Sequence, residues 1–219
     1  MNKVLTRVYF TLIAIFLAAP IVVVAGVSVN EKQSLNFPPQ GFSLSWYGAI
    51  FTDAGWRSAL FASLILALTA AALAVAIALP LAWFLWRRLA PWAQVFQLLG
   101  IAPFTLPPVI TALGLLTFWA TTGFYGQPWT AVISHAIFFV TLPLIMPYLV
   151  SGYAFAFVLS LNEYIVAYMT VGFTMETLPI KIFNALRYGY TPVMASVTVL
   201  FVVMAALIFG LVARVGAQP

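Results

Sequence analysis

The stretch LPLIMPYLVSGYAFAFVLSLNEYIVAYMTVGFTMETLPIK, residues 142–181, decides the fold. It opens with Pro143 and Pro147 and continues as an apolar run over residues 148–173, which is long enough to predict a membrane span. Glu163 places a carboxylate inside this run. An ionisable side chain at membrane depth costs about 2.5–3.5 kcal/mol, so it usually faces a protein interior or a watery cavity. Glu163 is therefore a candidate functional residue. The alternative is that Glu163 lies near a helix end and its carboxylate reaches the lipid headgroups.

The composition places the whole chain in a membrane. The sequence is 64% hydrophobic and 6% charged, with a mean hydropathy of +1.10, whereas soluble domains are about 25% charged. The apolar runs are continuous rather than alternating, which predicts spanning helices and not a barrel. The chain has no cysteine and one histidine, His135, so it contains neither a thiolate nor a histidine cluster for a metal. No cofactor is expected.

These runs predict an all-α, polytopic transmembrane helical bundle of about six helices, within a single transmembrane domain over residues 1–219. The chain has a net charge of +5, and its basic residues flank apolar runs. Their positions therefore indicate how the helices are oriented in the membrane. Lys3 and Arg7 predict a cytosolic N-terminus, and the pair Arg87 and Arg88 predicts a cytosolic end for the second helix. The approximate helices are 8–29, 58–86, 93–120, 129–146, 148–171 and 193–213.

Residues 129–170 leave the number of crossings open between six and five. They contain no basic residue, and their length suits either two minimal crossings or one crossing with a re-entrant segment. Six crossings place residues 171–192 outside the cell, and five place them in the cytosol. Five crossings put one more basic residue on the cytosolic side, a margin of a single charge under the positive-inside rule.

Two helices carry packing signals. The second has small residues at helical spacing, which let helix backbones approach closely: Ala67, Ala70, Ala71, Ala74 and Ala78. The third has prolines in its middle, which predict a kink or a break: Pro103, Pro107 and Pro108.

Four segments resemble a known family. They are FPPQGFSLSWY at 37–47, the proline-bearing third helix, TLPLIMPYLVSGYAFAFVLSLNEY at 141–164 and TLPIKIFNALRYGYTP at 177–192. They resemble the permease subunits of bacterial binding-protein-dependent ABC importers, most of all the spermidine/putrescine group.

The resemblance implies a type I importer fold in the bacterial inner (plasma) membrane. The expected partners are a second permease, two cytosolic ATPase subunits and an extracytoplasmic substrate-binding protein. The chain would then be a transport subunit for a small solute, expected to be a polyamine, and not an enzyme. The absence of a G-K-[ST] motif agrees, because ATP would be hydrolysed by the partners.

One departure from the family concerns the cytosolic loop that carries the EAA motif and docks on the ATPase. Here the segment SHAIFF at 134–139 runs almost directly into VTLPLIMP, and the loop is missing. What is left of the docking region is Thr141, Leu142, Pro143 and Leu144. Coupling to an ATPase is therefore in doubt for this chain.

The candidate substrate pathway consists of Glu163, Asn162, Tyr164 and Tyr168, with a carboxylate and aromatic rings to attract a cation. A structural hydrogen bond from Glu163 is the alternative. A stand-alone secondary transporter or channel would use Glu163 and His135 as proton-relay groups, although a lone histidine is more often a packing residue. A non-transporting membrane scaffold is the third reading. Residues 173–190 are expected to form short helical or irregular structure that faces the binding protein.

Overall fold

The computed structural model describes residues 3–87, 93–145 and 149–216, so the predictions for Arg88 and Pro147 lie outside the described residues. The described part forms these helices: α1 (Lys3–Ser28), α2 (Ser45–Thr52), α3 (Ala54–Arg87), α4 (Ala93–Thr105), α5 (Pro108–Thr122), α6 (Pro128–Phe139), α7 (Thr141–Ile145), α8 (Leu149–Asn162), α9 (Ile165–Val171), α10 (Leu178–Tyr188) and α11 (Val193–Gly216).

Within the described residues, three helices are long and apolar enough to cross a membrane by themselves: α1, α3 and Val193–Arg214 of α11. Helices α8 and α9 together pass the same test as a pair bent by 65°. The prediction of an all-α membrane bundle is confirmed. Six crossings and a single domain stay predictions, since α5 and the segment Pro128–Leu144 are shorter apolar helices.

The chain divides into two compact units, and the first comprises Met1–Ala54 with Asn184–Met204. In this unit the fully buried Asn30 organises the loop after α1. Its carbonyl oxygen accepts a hydrogen bond from Trp46 Nε1 at 2.6 Å, and its Oδ1 accepts from the Gln40 N–H at 2.9 Å. Residues 45–52 form the short helix α2. These bonds give the polar loop a fixed conformation.

The second unit comprises Gly55–Phe183 with Ala205–Pro219. The five alanines predicted as a packing face of α3 are each no more than 1% exposed, which confirms that prediction. Leu66 of α3 packs in one buried cluster with Ala131 of α6 and Val171 of α9. Helices α3, α6 and α9 therefore meet in the core of this unit.

The predicted third helix is broken at its prolines. α4 ends at Thr105, and α5 begins at Pro108 after Pro107, whose extended backbone (φ −53°, ψ 131°) precedes the helix. Proline is well suited to the first helical position, because its missing N–H would have no partner there. α5 ends at Gly123 with φ 78°, the left-handed conformation that glycine adopts most readily.

Helices α6–α7 and α8–α9 form an antiparallel hairpin, in which α6 packs on α9 and α7 packs on α8. At one end, the Gly126 N–H donates to the Thr170 carbonyl at 3.2 Å and Thr174 Oγ1 donates to the Gly126 carbonyl. At the other end, Thr141 Oγ1 donates to the carbonyl of Gly100. The turn before α6 and the residues after α9 therefore lie at the same end of this unit.

Candidate functional site

Glu163 lies at the break between α8 and α9. The sequence predicted a continuous helix over 148–171, and the structure corrects this: α8 ends at Asn162 and α9 begins at Ile165. The Glu163 carboxylate accepts hydrogen bonds from the N–H groups of Ile165 (2.9 Å), Val166 (2.8 Å) and Ala167 (3.1 Å). The first N–H groups of a helix have no partner within the helix, so a carboxylate here satisfies them. Glu163 thereby stabilises the break.

His135 joins the same cluster from α6. Its fully buried ring lies with Nδ1 2.7 Å from Ser160 Oγ and Nε2 3.5 Å from Glu163 Oε2. A carboxylate only accepts hydrogen bonds, so the proton of a neutral imidazole belongs on Nε2, facing Glu163, and Nδ1 then accepts from the Ser160 hydroxyl. Within the described residues Nε2 makes no hydrogen bond, because its distance to Glu163 is too long for one.

The cluster contains a serine, a histidine and a carboxylate, but it does not form an open catalytic site. Ser160 is only 3% exposed and Glu163 only 10%. The sequence interpretation of His135 as a hydrogen-bonded packing residue agrees with its contacts. What the interpretation missed is that this histidine lies beside Glu163, which is 28 positions later in the chain.

The other pathway candidates surround the break. Asn162 is exposed, and its Nδ2 donates to the Val158 carbonyl at 2.8 Å. The rings of Tyr164 and Tyr168 are stacked with centroids 5.4 Å apart, and the ring of Phe183 lies 4.7 Å from that of Tyr164. The structure thus brings the two tyrosine rings together at the break that Glu163 caps. It also adds Phe183, which no spacing in the sequence connects to Tyr164.

The four residues predicted to be left of the ATPase-docking region, 141–144, lie in α7. Thr141, Leu142 and Pro143 are buried, and Leu144 is half-buried. A Cβ added to Gly152 of α8 would lie 2.6 Å from the Cα of Pro143, so the two helices approach as closely as a glycine allows. In this structure these side chains offer no open surface to a partner.

The hydrogen bonds of Glu163 leave part of its acceptor capacity unused. A carboxylate has about four lone-pair positions, and three N–H groups occupy three of them at Glu163. By this count one lone-pair position of the carboxylate is left.

Several characterised permeases are similar to the chain over almost its whole length. It is 29% identical over 245 residues to the putrescine transport system permease protein PotI of Escherichia coli strain K12, covering 92% of this chain and 84% of the relative. It is 25% identical over 241 residues to the spermidine/putrescine transport system permease protein PotC of Haemophilus influenzae, covering 93% of each. The corresponding PotC of Escherichia coli strain K12 is 24% identical over 254 residues, covering 97% of this chain and 95% of the relative. No family model matches the chain.

The chain is a relative of these transport permeases. The resemblance seen in the sequence is confirmed, since these relatives are named as transport permease proteins. These relatives are named as parts of transport systems.

The alignments also show that the chain lacks internal positions that its relatives contain. Because 92% of 219 residues is about 201, an alignment over 245 positions leaves about 44 positions of PotI with no residue of this chain. The same arithmetic leaves about 37 positions for the Haemophilus PotC and about 42 for the Escherichia PotC. A deficit of this size exceeds the length of a single membrane crossing, which is about 20 residues.

Proposed function

We propose that the permease is the membrane-spanning subunit of an ATP-driven importer for a polyamine such as putrescine or spermidine. The observation that carries the proposal is the similarity to three polyamine permease proteins over 92–97% of the chain. The proposed location is the bacterial inner membrane, with the N-terminus and Arg87 in the cytosol. A second permease, two cytosolic ATPase subunits and an extracytoplasmic binding protein are the proposed partners.

The proposed substrate contact is at the break between α8 and α9. Glu163 provides negative charge, Asn162 an exposed amide, and Tyr164 and Tyr168 an aromatic surface for the alkyl chain and its ammonium groups. A carboxylate about 4 Å from an ammonium stabilises it by about 1–4 kcal/mol, depending on the effective dielectric constant. The same charge would repel an anionic solute. The geometry therefore supports a cationic substrate.

The hairpin supports six crossings. α6–α7 leads away from the end of the second unit that holds Gly126, and α8–α9 returns to it. Residues 172–177 would then lie on the same side of the membrane as the turn before α6. That side is the extracytoplasmic one when Arg87 is cytosolic, and it would present α10 to the binding protein.

The internal deficit favours a second candidate, a membrane scaffold that does not couple to an ATPase. We place the missing positions at the junction of α6 and α7, where a single residue, Val140, separates the two helices. The burial of Thr141 and Leu142 supports this reading, because the surviving residues are used in packing between helices.

Binding of a radiolabelled polyamine to the purified chain tests the proposed function without requiring a partner. The chain in detergent should retain labelled spermidine, with displacement by unlabelled putrescine and not by glutamate. Glu163→Gln keeps the shape of the side chain and removes its charge, so retention should fall about tenfold, the equivalent of about 1.4 kcal/mol.

The matched control is Glu176→Gln, which removes a carboxylate that is 39% exposed and forms an ion pair with Lys181 at 3.0 Å. Retention by this variant should be unchanged. If the wild-type chain binds no polyamine while it elutes as a folded species, or if both variants lose binding equally, the substrate assignment is wrong.

A further inference from the structure

A groove on α3 lies apart from the break between α8 and α9. It has a volume of about 550 Å³ and is lined by Leu79, Pro80, Ala82, Trp83 and Trp86. Its walls are apolar, yet its large side chains are open: Trp83 is 50% exposed and Trp86 72%. Buried alanines form another face of the same helix, so the groove belongs to the outward side of α3.

Arg87 lies at the end of this groove. Its guanidinium carbon is 4.7 Å from the ring centre of Trp83 and 5.3 Å from that of Trp86, and the two indole rings are 5.5 Å apart. Stacking on aromatic faces uses the flat surface of the guanidinium. The N–H groups point outward in the guanidinium plane, so they stay available for a planar or tetrahedral anion.

The length of α3 indicates the level in the membrane at which the groove lies. The helix has 34 residues, so it is about 51 Å long at 1.5 Å per residue. The hydrocarbon core of a bilayer is only about 30 Å thick. The last turns of α3 therefore reach the interface, where tryptophan rings lie at the level of the headgroups.

We propose that this groove binds an anionic phospholipid. The lipid phosphate would accept hydrogen bonds from Arg87, and the upper part of an acyl chain would lie along Leu79 and Pro80 and against the outer surfaces of the Trp83 and Trp86 rings. The positive charge of Arg87 favours an anionic headgroup. Because the groove lies at the membrane interface and is lined by apolar side chains, it favours a lipid over a soluble phosphate. This inference is independent of the proposed transport function.

Native mass spectrometry of the full chain in detergent, titrated with dioleoyl phosphatidylglycerol or dioleoyl phosphatidylcholine, tests the proposal. The wild-type chain should retain phosphatidylglycerol in preference to phosphatidylcholine. Arg87→Gln should lower that retention about fivefold, since one basic residue near a membrane surface contributes about 1 kcal/mol to the binding of an anionic lipid. Retention by Arg87→Lys should lie between that of the wild-type chain and that of Arg87→Gln, because lysine keeps the charge and loses the planar stacking.

Arg214→Gln is the matched control, since Arg214 is an exposed arginine in the last turn of α11. It should leave retention unchanged. Trp83→Leu tests the groove without altering charge and should weaken retention of the anionic lipid two- to fivefold. Inorganic phosphate at 10 mM should not displace the lipid.

Equal retention of the two lipids by the wild-type chain would overturn the proposal. Equal losses in Arg87→Gln and Arg214→Gln would do so too, as would displacement by inorganic phosphate. If Arg87→Gln does not fold, the result rests on Arg87→Lys and Trp83→Leu, and full retention by both of these would reject the site.

Discussion

Nε2 of His135 lies 3.5 Å from Oε2 of Glu163, inside a protein whose chain separates the two residues by 28 positions. The imidazole connects α6 to the break between α8 and α9, and its other nitrogen contacts Ser160 at the end of α8. A buried polar cluster of this kind stabilises the fold only while each member keeps its partners, because an unpaired buried group has lost water without replacement.

A double-mutant cycle on His135 and Ser160 measures this coupling. His135→Leu leaves the Ser160 hydroxyl unpaired, and Ser160→Ala leaves Nδ1 of His135 unpaired, so each should destabilise the protein by about 1–3 kcal/mol. The double variant should cost less than the sum, with an interaction of about 0.5–3 kcal/mol. Thermal unfolding followed by size-exclusion fluorescence provides the measurement.

Thr117→Ala is the control for this cycle, because Thr117 bonds only within α5 at an exposed position. Its effect should be within about 0.5 kcal/mol, as for most surface substitutions. Additive effects of His135→Leu and Ser160→Ala would show that the two side chains do not act as a pair.

The contact between Gly152 and Pro143 predicts a strict requirement for glycine in α8. In Gly152→Ala the new methyl group would lie 2.6 Å from the Pro143 Cα, so α7 and α8 must move apart. We expect a loss of about 1–3 kcal/mol, as for an overpacked core.

Gly114→Ala in α5 provides the matched comparison, since a Cβ there meets nothing within 4 Å. Alanine is the better helix former by about 1 kcal/mol, so this variant should be neutral or more stable. Thermal midpoints that rank Gly114→Ala below Gly152→Ala would contradict the close approach of α7 and α8.

Cysteine labelling tests the hairpin topology, and the cysteine-free sequence makes it direct. Phe124 and Phe173 are 50% and 79% exposed at the same end of the second unit, and Arg87 is exposed at the end of α3. In intact cells an impermeant thiol reagent should label Phe124→Cys and Phe173→Cys, and should label Arg87→Cys only after lysis. With five crossings, Phe173→Cys would instead be protected together with Arg87→Cys.

The buried α7 predicts weak coupling to an ATPase. If the second candidate, the uncoupled scaffold, is right, the chain should bind the ATPase of a polyamine transport system weakly or not at all. A chimera that carries the missing positions of a relative between Val140 and Thr141 should recover the ATPase, because it restores an exposed loop at that junction. Stoichiometric co-purification of an ATPase with the chain in its present form would contradict the prediction.

The sequence by itself determined the class of the protein, several helix positions and the family resemblance. Hydropathy over some 20 residues reports membrane insertion directly, since each apolar residue contributes independently of its neighbours in space. The alanine face of α3 and the proline break before α5 were also readable, because small residues at helical spacing and missing N–H groups act locally.

Only the tertiary structure decided what Glu163 contacts. An apolar run that contains one carboxylate looks the same in sequence whether the helix is continuous or broken, so the bend of 65° was not predicted. The partners of that carboxylate are set by which helices pack together: His135 arrives on α6, and Phe183 reaches Tyr164 from α10. Hydrogen bonds and ring contacts act over a few ångströms, so their formation between residues 19 or 28 positions apart depends on the folded path of the chain and not on any local pattern.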